Sequence, residues 1–263
     1  MTTMKIYIFC DMEGISGISG SEFVKTDGRF YAAGRKYMTA DINACARGCF
    51  NAGAEAVIVR DGHGCGTHVL WEELDPRVLL FQGRNDTEEL RYPGIQGCDA
   101  LILLGYHAMA GTKGALLEHT YSSGSIQNMW LNGKPVGEAG LDAGLAADLG
   151  IPTILVTGDD FVCREAREWI PGVHTCEVKR GGGCQGALLL PQAEAHRRIE
   201  EAAAGAVRAI GSIPLMKLDR PMTLRTEVIE RGSVPRDGEN GIRVLDGRTY
   251  ERTGATVAKA WFG

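Results

Sequence analysis

The chain has 263 residues, of which 44% are hydrophobic and 23% charged, enough to bury one large core or two smaller ones. Its formal net charge of −5 repels polyanions and its basic stretches are short, so nucleic acid is excluded as an expected partner. The longest apolar runs fall well short of a membrane span, which excludes a membrane-embedded protein of helical type.

Met1 to Lys5 leads straight into an apolar segment, without the basic, apolar and small-residue order of a secretory leader. The eight cysteines have no paired CxxC spacing, and several lie inside apolar segments. That usage fits buried, reduced thiols and a cytoplasmic location rather than a disulfide framework.

Lys5 to Cys10 reads as the first strand, and Asp11-Met12-Glu13-Gly14 follows it immediately. Two carboxylates therefore stand at a strand terminus beside a loop that Gly14 and Gly17 make adaptable. After this glycine- and serine-rich loop, residues 30–53 read as a helix in which Tyr31, Met38, Ile42, Cys45 and Cys49 recur at helical spacing. Residues 54–60 form the second expected strand, which ends in Asp61-Gly62-His63-Gly64-Cys65-Gly66. A short helix near 70–74 and a strand over 78–81 follow. The next buried strand, 99–104, runs into Gly105-Tyr106-His107-Ala108.

Asn132-Gly133, between apolar segments 126–130 and 134–136, is the strongest hairpin signal in the chain, and Glu138 stands just after it. A helix is expected over 139–148 and a strand over 153–157, ending in Gly158-Asp159-Asp160. Beyond Cys184 the pattern changes to a long helix over 191–210, a half-exposed strand over 222–229 and a further strand over 256–261. Residues 231–248 are polar and turn-rich.

Alternating strands and helices point to an α/β fold with a mostly parallel sheet flanked by helices. We expect residues 1–190 to form the catalytic α/β domain and residues 191–263 a smaller C-terminal α+β portion. In such sheets ligands bind beyond the carboxyl ends of the strands. Asp11, Glu13, His63 and His107 all fall just past such ends, so they are expected to converge there.

Two carboxylates, two imidazoles and Glu138 make a mixed oxygen and nitrogen donor set, larger than one tetrahedral catalytic zinc takes from protein. Two metal ions sharing a carboxylate would account for the surplus. Asp61 is either an acceptor for an imidazole N–H or an ordinary loop and cap residue. His119 is either a loop residue or the acid/base of the reaction. Lys179 and the glycines at 181–183 either shape a nearby loop, bind a peptide carboxylate, or are simply a surface lysine and a turn.

The ordered set Asp11-Met12-Glu13-Gly14-Ile15-Ser16-Gly17, Asp61-Gly62-His63, Gly105-Tyr106-His107-Ala108 and Lys134-Pro135-Val136-Gly137-Glu138 resembles the zinc-dependent D-aminopeptidase family of the DppA type. The resemblance continues through Gly158-Asp159-Asp160 and Val178-Lys179 to Asp219-Arg220-Pro221. It implies a hydrolase that removes N-terminal D-amino acids, notably D-alanine, from short peptides. It also implies two zinc ions per subunit and a ring-shaped homo-oligomer. By matching motif, Asp11, Glu13, His63, His107 and Glu138 are the metal ligands, with Asp11 our expected bridge, and His119 matches a catalytic histidine at slightly altered spacing. Arg252-Thr253-Gly254-Ala255-Thr256 is similar to a family segment that continues into a further helix in relatives, so assembly contacts made by that helix are expected to be absent or replaced here.

Other readings share the same residues. An amidase or phosphoesterase could use the same ligands and would be separated by substrate profiling. A peptide-binding component of a transport pathway would bind peptides without turnover.

Overall fold

The computed structural model describes residues 3–83 and 91–263. Its larger sheet contains β1 (Lys5–Cys10), β2 (Ala56–Asp61), β3 (Val78–Phe81), β4 (Ala100–Tyr106), β7 (Thr153–Asp159), β8 (His174–Gly181) and β9 (Ala187–Leu189). Their order is β3-β2-β1-β4-β7-β8-β9, parallel throughout except for the antiparallel edge strand β9. A second, antiparallel sheet runs β11 (Ile242–Val244), β12 (Thr249–Gly254), β10 (Met222–Val228), β5 (Ile126–Leu131), β6 (Lys134–Pro135).

The central strands β1, β4 and β7 are buried along almost their whole length because both faces of the sheet are covered there. Ile6, Ile8 and Cys10 of β1 join one core with Met38, Ile42 and Cys45 of α1 (Tyr31–Asn51) and Ile199 and Ala203 of α4 (Gln192–Arg208). Tyr7 and Phe9 point the other way, into a core shared with α2 (Glu138–Asp148), α3 (Asp160–Trp169) and the inner face of the second sheet. The period of two along β1 thus divides one strand between two cores.

The Asn132-Gly133 hairpin forms as expected, with φ of 51° and 80° at its central residues, the conformation that a tight two-residue turn demands. The expected strand over 256–261 is instead a helix, α5 (Val257–Phe262). Thr256 caps it by accepting from the Lys259 N–H, and Asp148 accepts from the Val257 N–H. The buried pair Val257 and Ala260 has helical rather than alternating spacing. Segment 231–248, read as turns, contributes β11, while α3 and β8 complete the parallel sheet after β7. Among the described residues no helix is long and apolar enough to cross a membrane.

Candidate functional site

Strand order reverses between β1 and β4, since the chain goes outward from β1 to β2 and β3 and then returns on the other side. Such a switch point leaves a crevice beyond the strand carboxyl ends. Asp11 and Glu13 leave β1 there, His63 leaves β2 and His107 leaves β4. The segments touch through backbone: Asp11 N–H donates to Leu104 O at 2.8 Å and Gly14 N–H to Gly105 O at 2.7 Å. A Cβ on Gly14 would collide with the Tyr106 carbonyl, and Gly105 adopts φ of 72° with no room beside Asp11 O. Only glycine at both places lets the two loops close on each other.

The side chains then interlock. His63 Nδ1 lies 3.1 Å from Asp11 Oδ1 and 3.0 Å from Glu13 Oε2. His107 Nε2 lies 3.4 Å from Asp11 Oδ2 and 3.2 Å from Glu138 Oε1. His119 Nε2 is 3.7 Å from that same Glu138 oxygen, and its ring stacks on His107 with centroids 4.0 Å apart and planes 9° apart. Asp11 therefore spans His63 and His107 with its two oxygens, and Glu138 faces His107 and His119, so that His107 is shared between the two carboxylates.

Each imidazole is oriented from behind by a backbone carbonyl. His63 Nε2 donates to Val24 O at 3.1 Å, His107 Nδ1 to Ala108 O at 3.0 Å, and His119 Nδ1 to Leu117 O at 2.8 Å. With those N–H groups engaged, the other nitrogen of each ring is the one turned to the carboxylates, where it carries a proton or, deprotonated, ligates a metal. A hydrogen bond of this kind on the far nitrogen fixes the tautomer and orientation of a metal-ligating histidine.

The loop that carries Glu13 is clamped on both sides. The fully buried Lys179 ammonium donates to the carbonyls of Glu13, Ile15 and Ile18 at 2.6, 2.8 and 2.9 Å, matching three N–H groups with three acceptors. From α1, Asp41 accepts from Ser16 N–H at 2.8 Å and from its hydroxyl at 2.5 Å. Lys179 thus shapes the loop, one of the three readings open to it in the sequence, and its burial rules out the plain surface lysine. Asp61 accepts from the His68 and Val69 N–H groups rather than from an imidazole, so it is the loop residue of its two readings. His68 packs edge-on against His63 at 4.7 Å. Asp159 caps α3 through the Phe161 and Val162 N–H groups and with its other oxygen holds Leu116 N–H at the start of the His119 segment.

Burial by itself would raise the Glu13 and Glu138 carboxyls, yet the imidazoles beside them, His63 and His107 respectively, hold both below their usual range. Burial would likewise lower the His107 imidazole, and Glu138, Asp11 and Glu13 instead push it up to about 10. His63 is raised well above its usual value by Glu13 and Asp11 against the same burial penalty. Such a nest of negative charge and imidazole must be compensated by cations, either protons or metal ions.

The donor atoms meet the requirement of a metal. Asp11, Glu13 and His107 each offer an atom within 4.8 Å of the others, as do His107, His119 and Glu138. Asp11 Oδ2, Glu13 Oε2 and His107 Nε2 are buried with no hydrogen-bond partner, which a coordinated cation would satisfy. Asp11, Glu13, His63, His119 and Glu138 line a cavity of about 640 Å³ whose wall also includes Ser122 and Arg91, room for a small ligand as well as ions.

All six residues singled out in the sequence come together, with His119 beside Glu138 rather than apart from the acidic cluster. Sequence reasoning passed over Asp142, buried one helical turn after Glu138, although an acid inside the apolar run Ala139-Gly140-Leu141-Asp142-Ala143-Gly144-Leu145 was a legible signal.

A family model described as D-aminopeptidase matches residues 4–261. A curated relative, the D-aminopeptidase of Bacillus subtilis (strain 168), is 35% identical over 224 residues, covering 83% of this chain and 80% of the relative. The solved structure of Zn-dependent D-aminopeptidase DppA from Bacillus subtilis, described as a self-compartmentalizing protease, superposes with a TM-score of 0.90 at 30% identity, over 98% of this chain and 94% of that one.

Proposed function

The chain belongs to the D-aminopeptidase family, and we propose that it is a zinc-dependent enzyme removing N-terminal D-amino acids such as D-alanine from short peptides, with Asp11, Glu13, His63, His107 and Glu138 as ligands to two ions. The observation that carries this reading is the set of imidazoles, each tied to a carbonyl on one nitrogen and aimed at buried carboxylates with the other. Asp11 would be the ligand shared by the two ions, since its two oxygens face His63 and His107 separately. Zinc at these residues supplies Lewis acidity toward a scissile carbonyl and a lowered pKa for water.

The chain's own groups do the rest. His119, on the cavity wall with Nδ1 held by Leu117 O, keeps Nε2 directed at the Glu138 side of the cavity. From there Nε2 is placed to take a proton from the attacking water and pass it to the departing amine, and Leu117 O keeps the ring from turning away. The cavity volume suits a short peptide.

The Bacillus structure's self-compartmentalizing description supports a ring-shaped homo-oligomer here. Both edges of the parallel sheet carry exposed apolar side chains suited to such contacts, Leu79 on β3 and Leu188 on β9. A monomer mass alone in sedimentation would contradict it. The free state of all eight cysteines supports a cytoplasmic location. Hydrolysis of matched D-alanyl and L-alanyl dipeptides by zinc-loaded and chelated protein tests the activity. We expect D-selective release of alanine that chelation abolishes; an equal rate on both, or metal-independent turnover, would defeat the proposal.

A further inference from the structure

The two stacked imidazoles, His107 and His119, come from different loops, and their parallel contact needs both loops fixed. The residue before His107 is Tyr106, and two residues after His119 comes Tyr121. Both tyrosine hydroxyls reach the same carboxylate: Tyr106 donates to Asp142 Oδ2 at 2.6 Å and Tyr121 to Asp142 Oδ1 at 3.3 Å. The Tyr121 backbone N–H meanwhile donates to Glu138 Oε1 at 2.7 Å, the oxygen that faces His107 and His119. Glu138 and Asp142 lie on one face of α2, a single turn apart.

Arg91 completes the assembly. It forms a two-pronged ion pair with Asp142, from Nε to Oδ1 and from Nη2 to Oδ2. Its guanidinium lies 4.9 Å from the Phe9 ring centroid, 4.8 Å from Tyr121 and 5.2 Å from Trp261. Trp261 of α5 also packs on Tyr121 at 4.3 Å. Tyr121 itself sits at φ of 56°, and Leu117, on the other side of His119, at 48°. Non-glycine residues hold that left-handed conformation only where their surroundings enforce it.

From this geometry we propose that Asp142, locked by Arg91, is a positioning residue that sets the His107–His119 stack and the Glu138 carboxylate through Tyr106 and Tyr121. The inference rests on the metal-site reading above. Asp142 is fully buried and does not itself line the cavity, so it acts on the site through the side chains bonded to it, Tyr106, Tyr121 and Arg91, and through α2. A fold needing only packing here would be served by phenylalanine at both tyrosine positions. Hydroxyls converging on one desolvated carboxylate instead specify angle and register, which a metal site requires and packing does not.

Because Asp142→Asn leaves the Arg91 charge without its partner, the milder double variant Tyr106→Phe/Tyr121→Phe carries the test alongside it. Competitive zinc titration of the full-length protein resolves the two binding steps, and steady-state kinetics on a D-alanyl dipeptide are measured in parallel. We expect one zinc, the ion beside His107, His119 and Glu138, to bind about 10–100-fold more weakly in the double variant and the other, which shares only His107 with that group, to weaken less. We also expect kcat to fall more than KM rises. Equal weakening of both ions would mean a general loosening and overturn the proposal, as would affinities and kcat within twofold of wild type in a folded variant. Failure of wild-type protein to bind zinc would overturn the underlying reading, and this inference with it.

Discussion

His119 is the residue whose role divides the account most sharply. It shares Glu138 with His107, stacks on the His107 ring and keeps partial access to the cavity. If it transfers the proton, His119→Ala lowers kcat by about 10²–10⁴-fold while both zinc ions remain. Metal analysis beside the kinetics checks this, and loss of an ion from the variant would make His119 a ligand instead. The residues at strand termini were legible in the sequence because a carboxylate or imidazole directly after an apolar run has a predictable place. His119 was not, since its segment has no periodicity and is held by contacts to Asp159 and to Cys184 O that are remote in sequence. Asp142 was overlooked for a related reason: its partners Arg91, Tyr106 and Tyr121 are brought to it only by the tertiary fold.

Between elements, α3 supplies a link that no local pattern announces. Glu165 is buried beneath the site, accepting from Met109 N–H at 2.8 Å on the loop after β4, and its other oxygen abuts Gly137 at the entrance to α2. Burial raises its carboxyl to about 7. The folded chain therefore holds a proton there that the unfolded chain releases near the ordinary glutamate pKa. Between about pH 4.5 and 7 the folded state binds more protons, so this group's contribution to stability is full below that window and declines as pH rises through it. A shift of this size corresponds to about 3 kcal/mol. Urea unfolding of the chelated protein at pH 5 and pH 7 should show Glu165→Gln losing less stability than wild type across the interval; identical pH dependence would contradict the assignment.

The parallel sheet, the hairpin and the long helices were readable from apolar runs, Asn132-Gly133 and helical spacing, because those signals are local. Segment 256–261 was misread as a strand because six mostly apolar residues satisfy either period. The Thr256 cap and the contacts of Val257 and Ala260 decide for a helix. The β10–β12 strands pair with the earlier β5 hairpin, and α4 packs on α1, so late elements complete layers begun early in the chain.

For the molecule as a whole, both sheets and both cores serve to bring the ends of β1, β2 and β4 to one crevice, where glycines at 14 and 105 let the loops meet. His107 is common to both donor groups there. The most direct test of a two-ion centre is the zinc content of purified protein together with D-alanyl dipeptide hydrolysis, for wild type and His107→Ala. The structure predicts about two zinc ions per chain with D-selective turnover in wild type, as a bimetallic hydrolase requires, and loss of both metal and turnover in the variant. Full zinc and full activity in His107→Ala, or wild-type protein that takes up no zinc on reconstitution, would contradict it.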